Sequence, residues 1–374
     1  MTYRVGIIGR TNRGDYGHGV DVAFTKVPEV EIVAVADDDE TGRAAARQRT
    51  GASTAYADYR EMLAQERLDI VAICPRWIDQ HYAMLVAAAE AGCHVYMEKP
   101  FCRTLVECDD VINELQMRHL QLGIAHVTQY SPVLDTVLSL IKRGEIGTVL
   151  ELRGRGKEDR RGGGEDLWVL GSHIFALMRS FGGGQPSSCT ATVSQGGRPI
   201  TRDDVVEGNE GLGLLAGDHV QATYQFPHNV VGYFASRRDM GGRPGRFALQ
   251  VFGSEGMIEM ETGYGVPAYL LRDPSWSPLR SGKTWQTITS AGIDQPEPRH
   301  DGGYEGGHIA AIKDLIRAME SQTETRCSAQ DCRGVVEMTA AVYESQRLGC
   351  RVTLPLKMRE NPLSLMASAV RRSR

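Results

Sequence analysis

The stretch RVGIIGRTNRGDYGHG, residues 4–19, decides the fold, because an apolar run of strand length leads there into a glycine-rich loop. Further apolar runs of strand length lie at residues 31–36, 69–74, 94–97 and 122–126. Segments with helical periodicity separate these runs. Continuous apolar strands that alternate with helices are typical of a parallel sheet covered on both faces. The sequence therefore predicts an α/β domain with a doubly wound parallel sheet over residues 1–125.

The pattern changes after about residue 125. Helical patterns near 132–143 and 166–181 are followed, from 187 to 290, by period-2 apolar alternation broken by glycine and proline. Two more helical patterns, near 305–321 and 329–348, close the chain. We expect residues 126–374 to form a second, α+β domain with a large, mostly antiparallel open sheet.

Composition narrows the classes of partner. The formal net charge of the 374 residues is -5, which gives no bulk electrostatic reason to bind nucleic acid or a membrane surface. The eight cysteines show neither a Cys-x-x-Cys pair nor a zinc-binding spacing. The first residues lead directly into an apolar strand, so we expect no signal peptide, and no apolar run reaches about 20 residues. We expect a cytoplasmic protein with reduced thiols and no metal.

The glycine-rich loop is a candidate dinucleotide site. A dinucleotide fold places G-x-G-x-x-G between its first strand and first helix, so that the backbone approaches a pyrophosphate closely. This loop is longer and departs from that string, because Arg10, Thr11 and Asn12 stand between Gly9 and Gly14. We expect these five residues to contact the cofactor, with Arg10 and Thr11 supplying donors. A glycine-rich loop of another kind is the alternative.

The second strand ends in ADDDE, which favours NAD over NADP. Asp37 lies 20 residues past Gly17, where an acid accepts hydrogen bonds from the adenosine ribose. Asp38 and Asp39 add charge that disfavours a 2′-phosphate. Capping of the following helix by Asp38 or Asp39 is a compatible alternative.

The next strand ends in CPRWIDQH. Ligands of open parallel sheets bind beyond the carboxyl ends of the strands. We therefore predict that Cys74, Pro75 and Arg76 face the cofactor groove. His81 lies one turn into the next helix and is included among the cofactor contacts, although a structural role at the helix start is the simpler interpretation.

The fifth strand ends in Glu98-Lys99-Pro100, which is a candidate catalytic turn. Topology places Lys99 in the crevice, with Glu98 beside the cofactor and Pro100 fixing the turn. The positive nicotinamide lowers the pKa of a neighbouring ammonium, so that a lysine there exchanges a proton with a substrate hydroxyl. The alternative is a strand-to-helix turn with a solvated ion pair.

Segments along nearly the whole chain resemble one protein family. VGIIG, AAAEAGCHVYMEKP, SLIKRGEIGTV, GGG…GSH and AAVYESQRLGCRVTLPL together resemble the glucose–fructose oxidoreductase / inositol dehydrogenase / MocA (Gfo/Idh/MocA) family of NAD(P)-dependent sugar and polyol oxidoreductases. The resemblance implies a Rossmann domain followed by an α+β domain, whose open sheet often mediates oligomers. It also implies that Lys99 is an active-site residue.

The family's second catalytic block, Asp-x-Gly-x-His-x-x-Asp on a helix, is only partly present. Gly171 and His173 match, but Val169 and Ala176 stand in place of the two carboxylates. Asp166 lies seven residues before His173, two turns away on one helix face if the helix is continuous. We expect Lys99 and His173 to act as the acid/base pair and Asp166 to orient them or to bind substrate. The alternatives are a core histidine and an N-cap aspartate.

Other residues are expected around the same site. In HVTQYSP, Gln129 replaces the family's arginine as a cofactor contact, while Tyr130 remains as a substrate contact. The charged segment GKEDRRGGGED suggests a clamp for a polar or anionic sugar through Lys157 and Arg161. His308, at the start of a late helix, is a further substrate candidate.

These residues and the resemblance together predict an enzyme. We expect an NAD-dependent dehydrogenase that oxidises a secondary hydroxyl of a sugar, sugar derivative or cyclitol and forms a homodimer or homotetramer. One alternative is a redox-neutral glycosidase that oxidises a sugar transiently, eliminates the aglycone, adds water and returns the hydride. A catalytically silent NAD-binding sensor is the third possibility.

Overall fold

The structure is a computed structural model that describes residues 2–242 and 245–368. The described chain divides into two compact units. The first unit comprises residues up to Tyr130 with Glu210–Leu212 and Gly303–Arg333. The second unit comprises Ser131–Asn209, Gly213–Gly302 and the chain from Gly334 onward.

The first unit contains a six-stranded, all-parallel sheet among the residues described. Its strands are β1 (Tyr3–Ile8), β2 (Val30–Ala36), β3 (Thr54–Tyr56), β4 (Ile70–Ile73), β5 (His94–Met97) and β6 (Leu122–Ile124). They lie in the order β3-β2-β1-β4-β5-β6. Every residue of β4 is buried, as expected for a strand with helices on both faces of its sheet. The predicted doubly wound parallel sheet is confirmed.

Helices cover this sheet. They are α1 (Val20–Phe24), α2 (Glu40–Thr50), α3 (Tyr59–Gln65), α4 (His81–Glu90), α5 (Leu105–Met117) and, from late in the chain, α10 (Gly303–Ser321). The side chain of Asp39 accepts a hydrogen bond from the amide of Gly42 at 2.6 Å and so caps α2. The capping role considered for Asp39 is therefore present.

The first unit takes in a late segment that the sequence analysis assigned to the second domain. Helix α10 buries Ala311, Ile312 and Leu315 and packs against α1 and β6. The following segment is fastened to the edge of the sheet, because Thr325 Oγ1 donates to the carbonyl of Leu122 at 2.6 Å. Apolar burial thus joins residues that are about two hundred positions apart in the chain.

The second unit is built on a large, mostly antiparallel sheet. Its path within the described residues is β18-β17-β16-β15-β14-β7-β13-β12-β8-β19, with β9 paired to β8. Only the pairing of β13 with β7 in that path is parallel. The strands are β7 (Val149–Arg155), β8 (Ser188–Gln195), β9 (Arg198–Pro199), β12 (His219–Gln225), β13 (Val231–Arg237), β14 (Ala248–Gly253), β15 (Met257–Glu261), β16 (Ala268–Leu271), β17 (Gln286–Thr289), β18 (Gly292–Ile293) and β19 (Val352–Thr353). This sheet confirms the predicted fold class.

The second unit also contains a small hairpin and several helices. The hairpin pairs β10 (Val206–Glu207) with β11 (Leu214–Leu215). The helices are α6 (Pro132–Lys142), α7 (Gly164–Val169), α8 (Gly171–Phe181), α9 (Pro278–Ser281), α11 (Ala329–Leu348), which begins in the first unit, and α12 (Pro362–Ser368). In the part of the chain that the structure describes, no helix combines the length and apolar character needed to span a bilayer.

Candidate active site

The loop after β1 is closed by its own hydrogen bonds. The backbone groups of Arg10 and Asp15 pair in both directions, at 3.2 and 3.0 Å, and the amide of Asn12 donates to Asp15 Oδ1 at 2.9 Å. Gly14 has a φ of 90°, and a Cβ there would lie 2.3 Å from the backbone nitrogen of Arg76. Glycine is therefore required where this loop meets the connection after β4.

The predicted donors of this loop bind protein groups. Thr11 Oγ1 donates to Asp37 Oδ2 at 2.7 Å, and the Thr11 amide lies 3.2 Å from both Asp37 oxygens. The guanidinium of Arg10 pairs with Asp79 at 2.9 Å. Asp37 is 2% exposed and also accepts from the amide of Asp39 at 3.1 Å. The Asp37 carboxylate, predicted to bind the ribose, is thus occupied by protein donors.

A cavity of about 270 Å³ lies at the carboxyl ends of β1 and β2. It is lined by Ile8, Gly9, Arg10, Ala36, Asp37, Asp38, Ala57, Asp58, Tyr59, Arg60, Gln80 and Met84. Apolar side chains there can cover an adenine ring, the exposed Asp38 can accept from ribose hydroxyls, and Arg10 and Arg60 are cationic. The chemistry of this donor set fits the adenosine half of a dinucleotide.

Of the residues predicted to face the cofactor after β4, Arg76 has a free donor and Cys74 is buried in the core. Arg76 Nε is buried and has no hydrogen-bond partner among the described residues, which fits the predicted contact with the cofactor. Cys74 is fully buried, and burial raises the pKa of its thiol. Its side chain therefore lies in the core and does not face the groove as predicted, because β4 is covered on both faces.

His81 joins two strand ends and is not available to a cofactor. It is fully buried, and its ring nitrogens lie 2.7 Å from the carbonyl oxygens of Pro75 and Pro100. Both nitrogens thus lie against backbone carbonyl oxygens, and a neutral ring donates to one of them. The inclusion of His81 among the cofactor contacts is corrected: this histidine ties the turn after β4 to the turn after β5.

The turn after β5 contains a buried carboxylate. Glu98 is 1% exposed and Lys99 is 6% exposed, so the alternative of a solvated ion pair is wrong. Glu98 Oε2 accepts from the amide of Lys99 at 3.0 Å, and Oε1 accepts from the amide and Nδ1 of His18 at 3.0 and 2.7 Å. Burial alone raises the pKa of Glu98, but His18, Lys99 and His308 outweigh it and lower the pKa to about 2.

His308 lies in the core of the first unit. Its Nδ1 is 2.7 Å from the hydroxyl of Tyr96, it is 1% exposed, and burial lowers its pKa. The prediction that His308 contacts substrate is therefore corrected, since α10 packs this ring against β5. Gln129 and Tyr130 are buried in the short 3₁₀ turn Val127–Tyr130 of the same unit.

The helical stretch predicted over 166–181 is two helices. The backbone of Leu170, with φ −123° and ψ −41°, separates α7 from α8. Asp166 lies in α7 and His173 lies in α8. The spacing of seven residues therefore does not place these two side chains on one helix face, and that premise is corrected.

Asp166 holds a loop in place. It is fully buried, and its Oδ2 accepts from Ser236 Oγ at 2.5 Å and from the amide of Glu158 at 3.2 Å. A Cβ on Gly156 would lie 2.0 Å from the same oxygen, so the loop passes directly over the carboxyl group. Burial raises the pKa of Asp166 to about 6, against the lowering effect of Ser236 and the loop amides. These contacts support a structural role in place of substrate binding.

The predicted cationic clamp is neutralised within its own loop. Lys157 Nζ and Arg161 lie 3.7 and 2.7 Å from Asp159. Glu158, which is 1% exposed, lies 2.7 Å from Arg246. The two cations predicted to form the clamp, Lys157 and Arg161, are therefore paired with a carboxylate of their own loop.

Sequence reasoning missed His18 and its neighbour Tyr304. The imidazole of His18 stacks on the Tyr304 ring with the centroids 4.8 Å apart. Its position in the glycine-rich loop was a usable signal, because that loop lies at the ligand-binding edge of the sheet. The hydrogen bond between His18 and Glu98 could not be predicted from the sequence, since 80 positions separate the two residues.

Curated relatives match parts of the chain. Levoglucosan dehydrogenase of Pseudarthrobacter phenanthrenivorans is 24% identical over 62% of this chain and 65% of the relative. D-xylose 1-dehydrogenase (NADP(+)) 2 of Haloferax volcanii is 28% identical over 91% and 98%. A glycosyl hydrolase family 109 protein of Shewanella putrefaciens is 29% identical over 39% and 33%. The chain spans 33% to 65% of the length of the first curated relatives that it matches.

Comparisons of fold and family agree along the chain. The structure is similar to levoglucosan dehydrogenase in complex with NADH and levoglucosan, with a TM-score of 0.76 and 21% identity over 95% of this chain and 100% of that one. Residues 3–126 match the oxidoreductase family with an NAD-binding Rossmann fold, which confirms the predicted cofactor class. Residues 134–259 match the GFO/IDH/MocA C-terminal domain. The chain therefore belongs to the GFO/IDH/MocA oxidoreductase family.

Proposed function

We propose that this protein is an NAD-dependent oxidoreductase that transfers a hydride between a secondary hydroxyl of a sugar, sugar derivative or cyclitol and the nicotinamide. The observation that carries the proposal is the buried Glu98–Lys99 turn at the carboxyl end of β5, in a domain that matches an NAD-binding family. Similarity to levoglucosan dehydrogenase and D-xylose 1-dehydrogenase supports a carbohydrate substrate.

The residues at the edge of the parallel sheet would hold NAD. Asp38 and the cavity of the first unit would take the adenosine, and Arg76 would contact a phosphate. When bound, NAD supplies the hydride acceptor. Lys99 would contact the reacting hydroxyl and take up its proton, because it emerges at the same edge as the cofactor groove. His173, on α8 of the second unit, is proposed as its partner at that hydroxyl.

A second candidate keeps the cofactor and changes the outcome. Similarity to a glycosyl hydrolase family 109 protein favours a redox-neutral glycosidase as the alternative. Such an enzyme would release an aglycone with no net NADH. A silent NAD-binding sensor finds less support, since Lys99 and His173 are both present. We also propose that the protein forms a homodimer or homotetramer, which the exposed aromatic residues Tyr233 and Tyr269 on the open sheet support. A cytoplasmic location is part of the same proposal.

Two measurements test the proposal. Calorimetric titration with NAD should show saturable binding, and its absence would end the proposal. The protein is then incubated with NAD and a panel of sugars, cyclitols, sugar acids and aryl glycosides, while NADH and released aglycone are followed together. NADH formed on a free sugar supports the dehydrogenase, whereas aglycone without NADH supports the glycosidase.

Substitution of Lys99 gives the sharpest variant. Lys99→Met should lower kcat on the identified substrate by about 10²–10⁴-fold, because it removes a proton-transfer group, while NAD still binds. Lys142→Met, at an exposed lysine of α6, is the matched control and should leave kcat unchanged. Equal activity of the two variants would exclude Lys99 from the reaction.

A further inference from the structure

His18 is held by a carboxylate that stays ionised. The Nδ1 atom of His18 lies 2.7 Å from Glu98 Oε1, and the pKa of Glu98 is about 2. An ionised carboxylate only accepts hydrogen bonds, so Nδ1 carries the proton of this contact. The remaining ring nitrogen, Nε2, is then an acceptor in the neutral imidazole. Within residues 2–242 and 245–368, Nε2 has no hydrogen-bond partner.

The ring is also fixed in direction and open to water. It stacks on Tyr304 with an angle of 20° between the ring planes, and the side chain is 28% exposed. The preceding residue packs tightly, because a Cβ on Gly17 would lie 2.6 Å from Glu98 Cγ and 2.7 Å from the carbonyl oxygen of Cys74. His18 therefore stands at the ends of β4 and β5, where Lys99 leaves the sheet.

Lys99 by contrast has little access to solvent. Lys99 is 6% exposed, whereas the side chain of His18, which also contacts Glu98, is 28% exposed. A proton that Lys99 takes from substrate must reach water before the next turnover.

We propose that His18 is the proton exit of this site, an inference that rests on the proposed oxidoreductase function. When the substrate is oxidised, the electron pair of its C–H bond leaves as hydride to NAD, and the O–H proton goes to the neutral amine of Lys99. The resulting ammonium passes one proton to His18 Nε2, and the imidazolium releases it to water. One proton leaves for each NAD reduced.

The groups around His18 suit that task. Glu98 and Lys99 face it from the end of β5, Tyr304 and His308 from α10, and Asp21 lies on α1. Glu98 Oε1 lies 2.7 Å from His18 Nδ1 and so directs Nε2 away from the carboxylate. The buried His308 has a lowered pKa, so it does not compete for the proton. The relay therefore runs through the half-buried ring of His18.

The test is substitution of His18 by asparagine, whose side-chain amide keeps a donor toward Glu98 and removes only the proton acceptor. We expect His18→Asn to bind NAD with a Kd within about twofold of the parent, and to show a kcat lowered about tenfold or more in dilute buffer. Rising concentrations of imidazole should restore kcat. His300→Asn, at an exposed histidine, should behave like the parent in every assay.

Each outcome decides the matter. A kcat of His18→Asn equal to that of the parent in dilute buffer would overturn the relay. A weaker NAD affinity with unchanged kcat would overturn it as well and make His18 a cofactor contact. If the asparagine variant unfolds, Glu98→Gln replaces it and should lower kcat in the same buffer-dependent way. A parent protein that binds no NAD would instead overturn the proposed function itself.

Discussion

The two units bury carboxyl groups that differ in how tightly they hold a proton. Glu98 in the first unit and Asp166 in the second are both essentially inaccessible to solvent. Burial raises the pKa of each, yet Glu98 ends at about 2 and Asp166 at about 6. The difference comes from the partners, because His18, Lys99 and His308 act on Glu98, whereas Asp166 faces the Ser236 hydroxyl and backbone amides.

This comparison shows which buried acid fits a chemical role. A carboxyl group with a pKa of about 2 keeps its charge in mildly acidic solution and can fix an imidazole at the ligand-binding edge. A carboxyl group held by neutral donors, with a pKa of about 6, gains a proton in mildly acidic solution and serves mainly to fasten a loop. The first unit therefore offers the site a charge that persists in mildly acidic solution, and the second unit does not.

The largest expected effect on stability comes from removing His81, the buried polar side chain that joins two strand ends of the first unit. His81→Leu removes the buried polar ring that lies 2.7 Å from the carbonyl oxygens of Pro75 and Pro100 and donates to one of them, which should lower the free energy of unfolding by about 2–5 kcal/mol. Urea denaturation measures this loss. His300→Leu, at an exposed position, should cost less than about 0.5 kcal/mol. Equal losses in the two variants would show that the His81 contacts contribute nothing.

The state of Asp166 can be measured from the pH dependence of stability. Its folded-state pKa of about 6 lies above the ordinary value of 3.8, so the folded protein binds the proton more tightly than the unfolded chain does. Stability should therefore fall by about 3 kcal/mol as the pH rises from about 4 through 6. Asp166→Asn cannot ionise and should lack this component of the decline in urea-denaturation midpoints.

The control for this prediction is an exposed aspartate. Asp203→Asn removes a carboxylate that is 82% exposed and should keep the parental pH dependence. If Asp166→Asn shows the same slope as the parent, the carboxyl group is ionised in the folded protein throughout that range. The contrast between Glu98 and Asp166 would then disappear.

The sequence pattern predicted the location of the first unit's site because the order of strands and helices determines which residues meet at one edge of the sheet. Once alternating strands and helices predict a parallel sheet, the residues after β2, β4 and β5 must meet at one edge. Asp37, Arg76 and Lys99 were placed there from sequence, and the structure has them after those strands. The resemblance added the expectation for Lys99, which the residues alone left open.

What the sequence did not reveal depends on long-range contacts. Thr11 binds Asp37 across 26 positions, and Ser236 binds Asp166 across 70. Periodicity reports which face of an element is buried, but it does not report which loop passes over that face. The break at Leu170 was also missed, although the flanking Val169 and Gly171 have low helix propensity and were a usable signal.

The smallest predicted effect concerns which acid meets the cofactor ribose. The Asp37 carboxylate is filled by Thr11 and Asp39, whereas Asp38 is exposed on the same cavity. We expect Asp38→Asn to weaken the preference for NAD over NADP. The Kd for NADP divided by the Kd for NAD should fall by about tenfold, or about 1.4 kcal/mol, because a 2′-phosphate then meets less negative charge.

Calorimetry with both cofactors measures this ratio, and Asp37→Asn provides the contrast. Loss of the Asp37 charge should loosen the loop that carries Thr11 and weaken both cofactors together, with the ratio unchanged. The opposite pattern, a ratio that responds to Asp37 and not to Asp38, would return the ribose contact to Asp37. Thr11 would then have to release that carboxylate when NAD binds, so the closed loop would be a feature of the cofactor-free protein.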